Sequence, residues 1–242
     1  MKTVRLLVGI AALISVFAGT AVVGVAPASG VRTYLTVIYG NSYPELGITY
    51  FTSEGADVVS VEVESGDNGR IIFRDPNAAA MSLIDDQPGT ACTLDDAVTI
   101  SCAKSVVDGN NPPSLRRVHN VSVVSWGGDD VIASAGFGMV MGSTYTPITV
   151  TLSGWEDADT LTATGGRSRL IGGTGDDRLV SGPGTPNFRD SLDGGEGNDT
   201  IDSVTGSPDL DGVYCRTGTD HVVKDTGDIL YDTASCESVT TP

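Results

Sequence analysis

Between residues 154 and 223 the chain repeats itself about every nine residues, and a period that short admits few folds. GGTGDDRLV (172–180) and GGEGNDTID (194–202) share the pattern Gly-Gly-x-Gly-x-Asp-x-apolar-x. The register extends in both directions. ATGGRSRLI (163–171) keeps Gly166 and Leu170 with Ser168 in the aspartate slot, and GWEDADTLT (154–162) keeps Gly154, Asp159 and Leu161. Downstream, the four-residue insertion TPNF precedes Asp190 and Leu192, and a three-residue insertion within 203–214 brings Asp211 and Val213 into the same slots. CRTGTDHVV (215–223) closes the series with Gly218, Asp220 and Val222. Across the seven units the apolar slot reads Leu161, Leu170, Leu179, Leu192, Ile201, Val213 and Val222, with no polar exception.

Each unit divides into a six-residue turn and a three-residue strand with one inward apolar side chain. Such a side chain cannot bury itself alone, so the units must stack. This predicts an all-β fold, a parallel β-roll or β-solenoid built from nonapeptide repeats. Two units make one coil, so alternate units share a side. Asp159, Asp177, Asp199 and Asp220 belong on one side; Asp190 and Asp211 belong on the other, where Ser168 lacks a carboxylate.

Glycines at the turns allow positive φ and aim carbonyl oxygens into the gap between coils. Aspartates add carboxylates to the same gap, and Ca2+ takes six to eight oxygens of these two kinds. Softer metals prefer nitrogen or sulfur, which the turns lack. Gly172, Gly173, Gly175, Gly194, Gly195 and Gly197 make the Asp177–Asp199 gap the most complete expected site. The Asp190–Asp211 and Asp199–Asp220 gaps follow. The Asp159–Asp177 gap is weaker, because Trp155 and Asp157 replace two turn glycines. The competing reading makes these aspartates ordinary turn formers. Carboxylates stacked face to face without a counterion would repel one another.

Residues 154–236 resemble the hemolysin-type (RTX) calcium-binding repeat proteins, and CRTGTDHVVKDTGDILYDTASCESV looks like the C-terminal cap of a secreted, actinobacterial-like subgroup. The resemblance implies a right-handed parallel β-roll with calcium between the coils, and a cap closed by Cys215 and Cys236. WGGDDVIAS and SEGADVVSV look like decayed units carrying Asp130 with Ile132 and Asp57 with Val59. One departure is that many relatives leave by a C-terminal secretion signal, whereas this chain starts with an N-terminal one.

That start has Lys2 and Arg5, an apolar run from Leu6 to about Val25, and Ala26-Pro27-Ala28. It reads as a signal peptide over residues 1–28, cleaved to give a secreted, extracellular chain with no membrane span. Residues 29–124 are expected to be a β-rich N-terminal region of degenerate coils, and 125–242 the roll with its cap. Runs such as YLTVIYG, VVSVEVESG and RIIFRDPN, separated by Gly, Asp, Asn and Pro, are strand signals. Four cysteines in an exported chain imply two disulfides with three possible pairings. Local pairing is simplest: Cys92 and Cys102 flank a hairpin-like TLDDAVTIS, and Cys215 and Cys236 bracket the C-terminal end.

The net charge of −17 is concentrated late, with 17 acidic against 6 basic side chains after residue 150. Such a chain repels nucleic acid and anionic membranes and favours a cation as partner. No His-Glu-x-x-His and no Gly-x-Ser-x-Gly is present, and the two histidines, His119 and His221, stand outside any catalytic motif. Asp85, Asp86, Asp95 and Asp96 read as turn residues beside the first disulfide. The expectation is a calcium-binding structural or surface-interaction module with an unidentified surface or protein partner. The alternative is a secreted hydrolase with its site in residues 31–125 and the roll as an export and folding module.

Overall fold

The computed structural model describes residues 31–39, 44–52, 55–64, 69–78, 81–84, 92–107, 115–136, 148–183, 188–206 and 210–242. The expected signal peptide, and Asp85 and Asp86, lie outside the described residues.

Among the described residues all regular structure is β. The first strands are β1 (Val31–Tyr39), β2 (Pro44–Phe51), β3 (Val58–Val63), β4 (Arg70–Arg74), β5 (Met81–Ile84), β6 (Cys92–Asp96), β7 (Thr99–Ala103) and β8 (Ser105–Val107). Next come β9 (Leu115–Val124), β10 (Val131–Ala135), β11 (Thr149–Glu156), β12 (Thr160–Ala163), β13 (Arg167–Thr174) and β14 (Arg178–Ser181). The last are β15 (Ser191–Glu196), β16 (Thr200–Ser203), β17 (Gly212–Thr217), β18 (His221–Lys224), β19 (Ile229–Leu230) and β20 (Ser238–Thr240).

From β9 onward successive strands alternate between two sheets, which is the signature of a winding chain. One sheet runs β19-β17-β15-β13-β11-β9-β2-β1-β5, with β8 beside β9; the other runs β20-β18-β16-β14-β12-β10-β3-β4-β7-β6. A coil is one strand from each sheet, and from the β2–β3 coil to the β19–β20 coil all stacking is parallel. The apolar slots stack in register, Leu161 on Leu179, Leu179 on Ile201 and Ile201 on Val222 in one sheet. Leu170, Leu192 and Val213 do the same in the other. All seven are 0% exposed. Each strand is short because its apolar residue is followed within a few positions by glycine or aspartate, which turns the chain before a longer ladder can form.

The two decayed units fall in the same register, Val59 beside Ile132 and Ile132 beside Leu161. Between them, the described strands β4 to β8 lie outside the parallel stack. β1 adds antiparallel to β2, and β4, β7 and β6 add antiparallel beyond β3. This N-terminal end holds the large side chains. Tyr50 stacks on Phe73 at 5.6 Å, and the Tyr50 hydroxyl donates to buried Asp75 at 2.9 Å. Cys92 and Cys102 face each other across β6 and β7 and are disulfide-bonded, as are Cys215 and Cys236 at the other end.

Candidate calcium-binding turns

The turns leading into β10, β12, β14, β16 and β18 lie one above another along one edge of the roll. Each ends in an aspartate just before the strand: Asp130, Asp159, Asp177, Asp199 and Asp220, all 2% exposed or less. One oxygen of each carboxylate is fixed by the coil before it. The amide of Asp159 donates to Asp177 Oδ1 at 2.8 Å, that of Asp177 to Asp199 Oδ1 at 2.9 Å, and that of Asp199 to Asp220 Oδ1 at 2.8 Å. The column continues past both ends of the repeat: the Asp57 amide meets Asp130, Asp130 meets Asp159, and the Asp220 amide donates to Glu237 Oε2 at 2.8 Å.

The second oxygen is the chemically active one. Oδ2 of Asp130, Asp159, Asp177, Asp199 and Asp220 is buried and receives no hydrogen bond. A buried, unsatisfied carboxylate oxygen is costly unless a cation meets it. Desolvation by burial accordingly raises the pKa of Asp159 to about 8, of Asp177 to about 7, and of Asp199 and Asp130 to about 6, with neighbouring carboxylates adding to it. Burial also raises that of Asp220.

The glycines leave space for those oxygens. A Cβ at Gly172 would collide with Asp177 Oδ2 and the Gly194 carbonyl, and one at Gly194 with Asp199 Oδ2. Gly173, Gly175, Gly195 and Gly197 all have positive φ, from 110° to 142°, and each abuts a carbonyl of the coil before it. Carboxylate and carbonyl oxygens therefore converge in the Asp177–Asp199 gap, where the Asn198 side-chain nitrogen is taken up by Asp176 Oδ1 at 3.1 Å. That donor set fits Ca2+. Asp177 and Asp199, with the turn carbonyls around Gly172–Gly175 and Gly194–Gly197, are the residues that would hold it. Trp155 and Asp157, replacing turn glycines, take the same left-handed backbone at φ 78° and 74°, so the Asp159 turn keeps its shape.

The other edge differs from the sequence expectation. Asp190 and Asp211 do align, the Asp190 amide donating to Asp211 Oδ1 at 2.8 Å and the Ser168 amide to Asp190 Oδ1 at 2.6 Å. Asp190 Oδ2, however, accepts the Ser181 hydroxyl at 2.7 Å, so both oxygens are already satisfied by protein. Ser203 treats Asp228 in the same way at 2.7 Å. The two edges are thus chemically unequal: on the second, Asp190 and Asp228 have both oxygens held by protein, whereas on the first every column aspartate from Asp130 to Asp220 keeps a buried oxygen without a hydrogen bond. Asp228 and Glu237 were missed by the nonapeptide reading, although each precedes a strand by the same acid-x-apolar spacing, DIL and ESV. His221 is exposed at its variable position, with Nδ1 and Ser238 Oγ 2.9 Å apart.

The family model of the RTX calcium-binding nonapeptide repeat matches residues 154–185 and 187–207, in four copies. The matched turns are RTX calcium-binding repeats. No curated protein and no solved structure matches the chain significantly. The RTX match covers the best-formed part of the column, and Asp130 and Asp220 extend the same geometry beyond it on either side.

Proposed function

We propose that the protein is an exported, non-catalytic module that Ca2+ converts from a loose acidic chain into a rigid roll, which then serves as a structural or interaction surface. The observation carrying this reading is the column of buried carboxylates, each with one oxygen fixed by backbone and the other open toward a glycine turn. Bound calcium would supply positive charge and oxygen coordination at those atoms. The chain itself does the rest. The amides of one coil orient the carboxylates of the next, the glycines keep side chains out, and the inward leucines exclude water.

Metal binding of this kind is coupled to folding, because the oxygens converge only when the coils are stacked. Export through an N-terminal signal into calcium-rich surroundings agrees with that coupling. The test is a calcium titration of residues 29–242 starting in chelator, followed by far-UV circular dichroism with magnesium as control. A calcium-specific gain of β signal is expected. An unchanged spectrum would overturn the folding role.

A further inference from the structure

On the outer face of the β11–β13–β15–β17 sheet lies an open trough of about 650 Å³, bordered by residues of the calcium turns but lined by none of the buried aspartates. Its floor is Gly173 and Gly195, stacked in register between Trp155 at one end and Arg216 at the other. Three strand spacings separate those ends, roughly 14 Å. The end residues are two departures from glycine at one repeat position, and both hold left-handed backbone, φ 78° at Trp155 and 71° at Arg216.

The two ends have similar chemistry but different occupancy. At the far end a cation already sits in place: the Arg216 guanidinium lies 4.8 Å from the centre of the Tyr214 ring and forks onto Asp193 at 2.8 and 2.6 Å. At the near end the half-buried Trp155 indole, backed by Trp126 at 5.4 Å, borders the glycine floor. Exposed Glu156 follows it on β11, exposed Glu196 lines the floor two strands on beside Gly195, and no described cation bonds to either. An aromatic face beside carboxylates is a cation site, and the far end shows the fold building one.

We infer that the near end of this trough receives an arginine side chain of an extended peptide from a partner protein. This deepens the interaction reading and rests on it. The carboxylates lining the trough outnumber Arg216, which is itself committed to Asp193, so the charge selects a basic partner and rejects an anionic one.

The test uses the calcium-loaded chain and acetyl-Gly-Arg-Gly-amide, with the neutral citrulline peptide as control, read by calorimetry and indole fluorescence. The arginine peptide should bind in the millimolar range and weaken with salt, and the citrulline peptide should not bind. Trp155→Gly restores the repeat's own residue at a backbone angle glycine favours, so the roll should remain folded while binding falls roughly three- to tenfold. Glu156→Gln with Glu196→Gln should weaken binding similarly. Equal binding of the citrulline peptide, binding unchanged by both variants, or uptake of a neutral oligosaccharide instead would overturn the assignment. Absence of peptide binding in samples that still gain β signal with calcium would overturn this inference alone; absence of both would remove the module reading as well.

Discussion

At the scale of single residues, the roll turns on the unequal lives of two carboxylate oxygens. In Asp177 one is held by the Asp159 amide and the other, buried, meets no donor. Asp177→Asn with Asp199→Asn should therefore abolish most of the calcium-linked rise in melting temperature, whereas the exposed pair Asp95→Asn with Asp96→Asn should leave it unchanged. Equal effects would refute the site. The raised pKa values carry a second consequence. In chelator the folded chain holds protons on Asp159, Asp177 and Asp199 up to about pH 8, 7 and 6 respectively. The unfolded chain releases them near pH 3.9. The folded state binds more protons across that window, so stability without calcium should fall as pH rises from about 4 to 8. Calcium requires the ionised form, so its apparent affinity should climb over the same range. Chelated melts and calcium titrations at pH 5, 6.5 and 8 check both slopes. The Asp column was legible from spacing alone. That Ser181 satisfies Asp190 was not, because the contact depends on which way a hydroxyl at a variable position faces.

At the scale of elements, coils stack because each strand contributes a fully buried apolar side chain and each turn lets backbone pass close to backbone. Leu179→Ala removes such a side chain between Leu161 and Ile201 and should cost about 2–5 kcal/mol in calcium, measured by denaturant unfolding. Gly173→Ala places a methyl against the Trp155 carbonyl at φ 126° and should destabilise by roughly 1–3 kcal/mol. Gly206→Ala, at φ 64° with nothing within 4 Å, should cost about 1 kcal/mol, the left-handed penalty alone. A reversed order would contradict the close-approach account. The strands of the repeat region were readable because their period is short. The β6–β7 hairpin was legible from TLDDAVTIS between two cysteines, but the antiparallel docking of β1 on β2 and of β4 and β7 beyond β3 was not, since nothing repeats in 64–114 to reveal it.

At the scale of the whole molecule, the two halves are held by different physics. Toward the N-terminus, Tyr50, Phe73, Ile71 and Ile100 form a broad apolar core. Toward the C-terminus, single-residue layers alternate with carboxylates, and most of the negative charge is there. Chelation should thus strip amide-exchange protection from about 149–240 while that of 46–51, 58–63 and 115–135 persists, as read by hydrogen-exchange mass spectrometry. Uniform loss would mean a single cooperative unit. The decayed motifs WGGDDVIAS and SEGADVVSV announced that the stack reaches back beyond the intact repeats. The excursion between them hid how far.

The ladder of amides and carboxylates is also a vector. The Asp199 carboxylate is aimed by an amide of the coil before it, and in turn an amide of its own coil aims Asp220. Each coil thus carries the amides that aim the carboxylate of the next, and the series begins at the apolar, antiparallel-braced end. A roll that grows along this series would have a seed and a heading, like a crystal face advancing from one edge. The heading coincides with the order in which a chain emerges N-terminus first.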